Sequence, residues 1–411
     1  MDDKSPNTVC AGFLPLLDAA ILIAAKEKGF AEAEDIDLLL VKESSWANIR
    51  DRMAIGHFDV AHMLAPMPVA SLLGLMPLPL KIIAPMALGL GGNAITISNA
   101  IAADIASPKP LAEMTAREAG DQLSHLIKDR QKQGKDALVF GVVHPFSGHN
   151  YELRYWLAAC GIHPDTDVEI VVIPPPLMPD ALSSGMLDGF CVGEPWNSIA
   201  IEDGAGTLLT TKSKIWRNSP EKVLGASDTF AANHPTTLSA TIRALYKAAE
   251  WCGSSENTEE LAHLLSDSNY IGVPAEILEK PLRGQFKTEN GEISQIQDFF
   301  IPFERAATFP WFSHGLWFYS QMVRWGHTDW SPEHAEQLKS CYRPDLYRAA
   351  LADLQVPIPS ANAKVEGALE HTQFVGTMKG QLALGPDGFF DGQVFDPDNL
   401  ETYIRAQADQ K

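Results

Sequence analysis

Four side chains that donate hydrogen bonds stand in loops where strands or helices are expected to end or begin. They are Trp46, Asn93, His149 and Lys222. An indole N–H, an amide NH₂, an imidazole N–H and an ammonium group are all donors, and together they suit an anion rich in acceptor atoms. Hydrogen bonds from a charged donor are the stronger kind. Because Lys222 brings one unit of charge and three donors, the set indicates a small monovalent anion rather than a nucleotide.

Each of these side chains also has a purely structural interpretation. Trp46 could cover the end of a helix, Asn93 could be a turn residue in a Gly-rich loop, and His149 could cap the helix expected at Tyr151. Lys222, taken alone, is typical of a surface lysine. The anion hypothesis therefore requires that the four loops meet in one place.

A repeated pattern predicts how the loops are brought together. In two stretches, 55–68 and 184–197, a helix-like run ends at Gly, Asp follows three residues later, and Pro follows a short apolar run. This order indicates a helix, a Gly cap, a buried strand and a turn at the carboxyl end of the strand. Ligands collect at the carboxyl ends of strands in open α/β sheets, so two such units predict a cleft between two lobes. The pattern comprises Gly56, Asp59 and Pro66 in the first copy and Gly185, Asp188 and Pro195 in the second.

Residues beside this pattern are candidates for the wall of the cleft. Glu194, Pro195 and Trp196 follow the second buried run, and Gly148 precedes His149. Trp196 next to Pro195 is more typical of a packing wedge than of a ligand contact.

The fold class predicted from the order of elements is α/β. The first block has an apolar strand over 9–14, a helix over 17–28 and a strand over 36–41. Strand, helix and strand form a βαβ unit, which predicts a parallel sheet. A second block repeats the order with a strand at 137–143, a helix at 151–160 and a strand at 168–173.

Two lobes with an interlobe cleft and a hinge follow from this repetition. We assign lobe 1 to residues 1–98 and 226–411, including a C-terminal helical extension, and lobe 2 to residues 99–225.

Composition and charge narrow the classes of function. The chain has 411 residues, 45% of them apolar, and a formal net charge of −20. An acidic surface disfavours direct binding of nucleic acid, which requires basic residues.

The longest apolar run, 14–25, contains Asp18 and is shorter than the roughly 20 residues of a membrane span. Five cysteines without CxxC spacing favour buried thiols in a reducing compartment. With no signal-peptide pattern at the N-terminus, we expect a cytoplasmic protein that does not contact a membrane.

Catalytic and metal-binding patterns are weak. His57 and His62 lie five residues apart without a carboxylate to complete a metal site. Ser147 stands near His149, but no orienting acid is identifiable, and no GxSxG motif occurs. The Gly-rich stretch at 87–93 lacks the Lys of a phosphate loop. We expect no metal, no cofactor and no enzymatic activity.

Several motifs together resemble the nitrate- and bicarbonate-binding proteins of ABC transporters, the NrtA/CmpA family. The similarity extends over about 14 to 330, and it implies the periplasmic-binding-protein type II fold, with two lobes and a hinge. The motifs are Phe13–Asp18, Trp46–Asp51, Ala61–Pro68, Gly148–Leu157, Asp188–Asn197, Trp216–Gly225 and Ser313–Gly326.

The resemblance also implies a ligand. Nitrate binders of this family hold the anion with a Trp, an amide side chain, a His and a Lys, and these match Trp46, Asn93, His149 and Lys222 by motif position. The family's amide is usually a Gln, which is one methylene longer than Asn93. The bicarbonate branch relies on acidic residues and calcium, so the Trp, His and Lys matches favour nitrate or nitrite.

The N-terminus departs from the transport members, which carry an export signal and a lipid anchor. This pattern is similar to that of NasS-type proteins, cytoplasmic relatives that hold an RNA-binding antiterminator of the NasT (ANTAR) type until nitrate or nitrite binds. The leading hypothesis is therefore a nitrate/nitrite sensor that controls release of such an antiterminator and so regulates nitrate assimilation genes. The alternative is the solute-binding component of a nitrate ABC importer. A third class, enzymes of thiamine-pyrimidine synthesis that share the fold, is disfavoured because their cysteine-rich motif is absent.

Overall fold

Two mixed five-stranded sheets, each covered by helices, form two lobes in a computed structural model of the chain. The structure describes residues 7–105, 107, 109–377 and 379–408. The first lobe begins with β1 (Thr8–Phe13), α1 (Ala20–Glu27), β2 (Asp37–Lys42), α2 (Trp46–Ala54), β3 (Val60–Leu64), α3 (Pro66–Leu72) and β4 (Ile82–Ala87).

The chain then crosses to the second lobe and later returns. The crossing and second lobe contain β5 (Leu90–Gly91), β6 (Asn93–Ser98), α4 (Asn99–Ala103), α5 (Ala116–Lys132), β7 (Leu138–Val142), α6 (Gly148–Ala159), β8 (Val168–Val172), α7 (Met178–Ser183), β9 (Gly189–Gly193), α8 (Trp196–Glu202) and β10 (Gly206–Thr211). The return and the C-terminal part contain α9 (Lys212–Ile215), β11 (Lys222–Ser227), α10 (Asp228–Asn233), α11 (Pro235–Gly253), α12 (Thr258–Leu265), α13 (Ala275–Leu282), β12 (Gln285–Lys287), β13 (Ile293–Gln295), β14 (Phe300–Ile301), α14 (Phe312–Arg324), α15 (Pro332–Leu338), α16 (Pro344–Leu351), β15 (Gln373–Thr377), β16 (Gly380–Leu384) and α17 (Leu400–Ala408).

The two sheets have equivalent topologies. In the first, the order is β2-β1-β3-β11-β4, with β1 parallel to β2 and β3. In the second, the order is β10-β6-β9-β7-β8, with β7 parallel to β8 and β9. The predicted parallel pairing thus holds within the βαβ units. The strand that arrives from the other lobe, β11 or β6, runs antiparallel to its neighbours, so each sheet is mixed.

The exchanges between lobes lie earlier in the chain than the boundaries predicted at 98/99 and 225/226. Strand β6 pairs with β9 and β10 in the second sheet, and β11 pairs with β3 and β4 in the first. The crossings are therefore the segments 87–93 and 211–222. Gly89, Gly91 and Gly92 in the first crossing all have positive φ, which glycine adopts without steric cost. The C-terminal α14 packs against both α3 and α6, and so contacts both lobes.

The repeated Asp performs the same task in each lobe. Asp59 Oδ2 accepts a hydrogen bond from the backbone N–H of Cys10 at 2.8 Å, and the Asp59 N–H donates to the Cys10 carbonyl at 2.9 Å. Asp188 repeats both bonds with Val139, at 2.8 and 2.9 Å. In each lobe the Asp therefore fastens the start of one buried strand to the strand beside it.

The Gly and Pro of the pattern mark the ends of the same unit. Gly56 and Gly185 both have φ of 75°, the left-handed conformation of a helix C-cap, as predicted. Pro66 is the first residue of α3, and Pro195 directly precedes α8. The predicted turn at the carboxyl end of each strand is therefore the start of a helix.

Most buried apolar side chains belong to two large clusters. One packs α1 and α11 on lobe 1. The other runs from lobe 1 through α14 into lobe 2, and includes Trp46, Phe140, Trp156 and Trp317. Across the described ranges, we find no helix with the length and apolar character needed to cross a lipid bilayer.

The thiols outside β1 are buried, as predicted. Cys160, Cys191, Cys252 and Cys341 form no disulfide, and burial raises the pKa of each thiol above its usual value. A buried neutral thiol packs as a small apolar group.

We expect Asp188→Ala to lower the free energy of unfolding by about 1–3 kcal/mol, because the Val139 N–H would lose its carboxylate acceptor. Asp188→Asn retains an acceptor oxygen and should lose less. The exposed Asp203→Ala is the matched control and should change stability by less than about 0.5 kcal/mol. Urea denaturation of the three variants measures the effect, and equal stability of Asp188→Ala and wild type would contradict it.

Candidate functional site

Five buried ionisable side chains, alternately acidic and basic, cross the space between the lobes. Glu152 Oε1 lies 2.9 Å from Lys212 Nζ, and Lys212 also pairs with Glu221 Oε2. Glu221 Oε1 lies 2.7 Å from Lys222 Nζ, which lies 2.7 Å from Asp18 Oδ2. Each of the five residues is at most 2% exposed. We call this series, Glu152–Lys212–Glu221–Lys222–Asp18, the buried charge chain.

Both lobes contribute to the buried charge chain. Asp18 lies in a 3-10 turn, Leu17–Ala19, between β1 and α1 of lobe 1. Glu152 lies on α6 of lobe 2, and Lys212 is the first residue of α9, where the chain leaves lobe 2. Glu221 and Lys222 complete the return to lobe 1 at the start of β11. The series is therefore located at a crossing between the lobes.

Two buried histidines extend the series. His149 Nε2 lies 2.7 Å from Glu221 Oε1 and 3.5 Å from Lys222 Nζ. His62 Nε2, on β3, lies 2.8 Å from Asp18 Oδ1. The Nδ1 atom of each ring is buried and makes no hydrogen bond in the described structure.

The charge states of the carboxyl groups follow from their neighbours. Burial opposes ionisation of Asp18, but Lys222 and His62 outweigh it and lower its pKa to about 2. Burial likewise opposes ionisation of Glu221, yet Lys212, Lys222 and His149 hold its pKa well below the usual value. Glu152 has one cation beside it, and burial raises its pKa to about 8. At neutral pH, Asp18 and Glu221 are therefore ionised and Glu152 is largely protonated.

Burial favours the neutral form of both histidines. Burial lowers the pKa of His149 and of His62, and the neighbouring Glu221 and Asp18 offset only part of that effect.

The structure places Trp46 against the same ammonium group. Lys222 Nζ lies 5.4 Å from the centre of the Trp46 ring, a distance suited to a cation–π interaction. The ring also lies 5.3 Å from that of His62. Trp46 is the first residue of α2, and Ser45 caps the helix by accepting a hydrogen bond from the Asn48 N–H. Trp46 Nε1 is buried without a hydrogen-bond partner.

Asn93 lies beside the Asp18 end of the series. It is fully buried as the first residue of β6, and both of its side-chain amide atoms lack hydrogen-bond partners. A Cβ atom added at Gly193 would lie 3.2 Å from Asn93 Oδ1 and 3.7 Å from Asp18 Oδ2. The two side chains thus face one small space, which Gly193 keeps open.

His149 is not the cap of its helix. Helix α6 begins at Gly148, and the Ser147 hydroxyl caps it by accepting a hydrogen bond from the Asn150 N–H at 3.0 Å. His149 is therefore in the first turn, with its side chain free to reach Glu221. A Cβ atom added at Gly148 would crowd the Glu221 carboxylate, so Gly148 lies against the buried charge chain as a wall.

The segment Glu194–Trp196 joins the lobes through its backbone. The Glu194 carbonyl accepts a hydrogen bond from the Leu17 N–H at 2.8 Å. The Glu194 carboxyl group is buried and accepts from the Ser198 N–H at 3.2 Å, and burial raises its pKa to about 7. Trp196, after Pro195, is half-buried against the larger apolar cluster.

Sequence reasoning did not identify five residues that surround Lys222 and its neighbours. A signal was present for Asp18, because it is a charged residue inside an apolar run. No comparable signal marks the others. Glu221 directly precedes Lys222, but its partner His149 and the partners of His62 and Glu152 are distant in sequence. The residues are Asp18, His62, Glu152, Lys212 and Glu221.

The arrangement provides buried hydrogen-bond donors around one ammonium group. Trp46 Nε1 and Asn93 Nδ2 have no protein acceptor, although buried donors usually have one. Among the residues that the structure describes, no group of three or more His, Cys, Asp or Glu side chains is suited to hold a metal ion. The buried donors are suited to bind a small molecule with acceptor atoms.

Comparison with known proteins identifies the family to which the chain belongs. The model of the NMT1-like family matches residues 2–266. The nitrate/nitrite binding protein NrtA of Synechococcus elongatus is 32% identical over 98% of this chain and 86% of its own length. The nitrate import ATP-binding protein NrtC of Synechocystis is 34% identical over 96% of this chain, which spans only about half, 54%, of that relative's length.

A solved structure has the same fold over the whole chain. The crystal structure of the periplasmic nitrate-binding protein NrtA from Synechocystis PCC 6803 superposes with a TM-score of 0.84 at 29% identity, and covers 98% of both chains. The predicted two-lobed periplasmic-binding-protein fold is confirmed. The chain therefore belongs to the NMT1-like family and, within it, to the group that contains the NrtA proteins.

Proposed function

We propose that the chain binds nitrate or nitrite between its lobes, with Lys222, Trp46, Asn93 and His149 as the ligand-binding residues. The observation that carries the proposal is the pair of buried donors without partners, Trp46 Nε1 and Asn93 Nδ2, beside the Lys222–Asp18 ion pair. NrtA relatives, named for nitrate and nitrite, support this choice of ligand.

The chemistry of the site suits these anions. Nitrate and nitrite accept hydrogen bonds through several oxygens but donate none, so indole, amide and ammonium donors complement them. All three donor groups are buried, and an electrostatic interaction is stronger where water is excluded. Because packing fixes the donors in place, little ordering is required when the ligand binds.

The role that the relatives support best is that of a solute-binding component of a nitrate importer. One relative is an ATP-binding protein of nitrate import, and this chain matches about half of it. Closure of two lobes around a ligand is the usual motion of binding proteins, and it would present the loaded form to a transporter.

The second candidate is a cytoplasmic sensor that releases a NasT-type antiterminator when the anion binds. It requires the same binding step and lobe closure. The formal charge of −20 favours a partner whose surface is basic, as that of an RNA-binding protein is.

Calorimetry with nitrate, nitrite, bicarbonate and sulfate tests the binding proposal. We expect saturable heat with nitrate or nitrite and little with the other two. Absence of heat with both nitrate and nitrite would refute the proposal.

Trp46→Phe should weaken nitrate binding by roughly 10- to 100-fold, because the ring remains while one hydrogen bond to a charged ligand is lost, at a cost of about 1.5–3 kcal/mol. Trp251→Phe is the matched control, since Trp251 is half-buried beside Lys28, away from the site. Isothermal titration of both variants measures the change, and equal affinities would remove Trp46 from the site.

Asn93→Asp should abolish measurable nitrate binding, because a carboxylate of similar shape replaces an amide donor beside Asp18. The exposed Asn233→Asp adds the same charge at the surface and should leave the affinity within about twofold. Affinity retained by Asn93→Asp would contradict the assignment of this residue.

The two roles differ in their macromolecular partner. For the importer, we expect the nitrate-loaded chain to stimulate a cognate transporter in vesicles. For the sensor, we expect a NasT-type protein to co-purify with the chain without nitrate and to dissociate when nitrate is added. Retention of that protein at saturating nitrate would exclude the sensor mechanism.

A further inference from the structure

The buried charge chain has no excess of positive charge to offer an anion. It contains three carboxyl groups and two ammonium groups. Each ammonium group is already paired with two of the carboxyl groups, at distances of 2.9 Å or less. With Glu152 protonated the series is neutral, and with Glu152 ionised it carries one negative charge. A monovalent anion entering this buried space would therefore leave at least one negative charge unbalanced.

An unbalanced buried charge is costly. Removing an ion from water costs several kcal/mol even in a relaxed protein, unless a counter-charge is close by. Uptake of one proton by a neutral group beside the anion would restore neutrality. The question is which buried group can accept it.

The hydrogen bonds of His149 leave one position for a proton. Its Nε2 atom lies 2.7 Å from the ionised Glu221 Oε1 and 3.5 Å from Lys222 Nζ. The shorter contact decides the tautomer, because a lone pair on Nε2 would repel a carboxylate at that distance, so Nε2 carries the hydrogen and donates it. The neutral ring then has its lone pair on Nδ1, which is buried without a partner.

A neutral His149 in this tautomer has no donor left for an anion. Its Nδ1 lone pair can only accept a hydrogen bond. Nitrate and nitrite are also acceptors only, so no hydrogen bond can form between them and Nδ1. A proton on Nδ1 would convert it into a charged donor, and Glu221, already bonded to Nε2, would stabilise the resulting imidazolium. We infer that the anion enters this site together with one proton, which His149 takes up on Nδ1. The inference rests on the proposed function, because it concerns the same anion.

Four of the other titratable groups near the site, Asp18, Glu221, Glu152 and His62, are less suited to accept this proton. Asp18 and Glu221 are held ionised by the two lysines, and Glu152 is already largely protonated at neutral pH. His62 Nε2 lies 2.8 Å from Asp18 Oδ1, and the His62 ring packs on Trp46. Asp18 and Lys222 stand between His62 and His149. The groups that face the site are Asp18 before α1, His62 on β3, Glu152 on α6, Glu194 after β9, Lys212 on α9, and Glu221 and Lys222 at β11, with His314 on α14 beyond Lys212.

The direction of the pH dependence follows. Burial lowers the pKa of His149 in the free site, and a bound anion raises it. Affinity for the anion is therefore highest at pH values below the pKa of His149 in the free protein. Affinity falls as pH rises from that value to the higher pKa that His149 has in the complex. Within that interval, uptake of one proton makes the dissociation constant rise about tenfold per pH unit.

Isothermal titration with nitrate in phosphate and in Tris measures how many protons are taken up on binding. The two buffers differ in ionisation enthalpy, so proton uptake makes the observed binding enthalpy differ between them. Near pH 7.5, where an imidazole titrates readily, we expect the wild type to take up about one proton per nitrate. The exposed His57→Gln is the control and should retain that uptake. His149→Gln should bind nitrate more weakly and take up no proton.

Nitrate binding without proton uptake in the wild type would overturn the inference and leave the proposed function intact. Proton uptake that persists in His149→Gln would also overturn it, by placing the proton elsewhere. If His149→Gln fails to fold, the pH dependence of wild-type affinity decides, since a dissociation constant unchanged between about pH 6.5 and 8.5 excludes linked protonation. Absence of binding for both nitrate and nitrite in every buffer is a different result, because it removes the proposed function itself.

Discussion

The mutual neutralisation of buried charges at Lys222 is the constraint on which the rest of the site depends. An ammonium group with no exposed surface requires nearby negative charge, and Asp18 and Glu221 provide it from two directions. Removing one partner of such a buried pair is strongly destabilising, because it leaves an uncompensated charge. Lys222 thus fixes the positions of the 3-10 turn before α1 and of the strand that returns from lobe 2.

This constraint couples the site to the relative position of the lobes. Glu221 contacts His149 and Lys212, which belong to lobe 2, and Lys222 and Asp18 belong to lobe 1. The backbone bond between Leu17 and Glu194 joins the same two sides. The described arrangement is therefore closed, and opening would expose several charges whose partners lie on opposite lobes. A ligand that replaces some of these interactions changes the free-energy difference between closed and open forms, which is the requirement for a binding-induced switch.

The sequence predicted the architecture better than the electrostatics of the site. The Gly and Asp positions of the repeat were identifiable because each has a local signature, and the structure gives Asp59 and Asp188 identical bonding to the neighbouring strand. The chain crosses between the lobes at 87–93 and 211–222, earlier than the predicted boundaries. The apolar pattern of a strand does not show in which of the two sheets that strand pairs. The sequences of β6 and β11 therefore did not indicate to which sheet each strand belongs.

The four predicted donor residues were located by residue type and by resemblance. The structure places Trp46 and His149 beside the buried ammonium group of the fourth, Lys222, and Asn93 near its carboxylate partner Asp18. The acidic partners were not predicted, since Glu152 and Lys212 are 60 residues apart in sequence and meet only after the lobes form. A charged residue in an apolar run, as Asp18 is, was the one local signal, and it was interpreted only as evidence against a membrane span.

Carboxylates beside the lysine of an anion site lower the attraction for every anion, and this explains how such a site can discriminate by charge. If Lys222 had no anionic partner, a divalent anion would gain about twice the Coulomb energy of a monovalent one. With Asp18 and Glu221 already balancing both cations, a second negative charge on the ligand would require a second proton or remain uncompensated. His62 is the remaining neutral ring, and Lys222 separates it from His149. In the proposed binding mode, selectivity for a monovalent anion would therefore arise from the pairing of these buried charges, and not only from the shape of the space between the lobes.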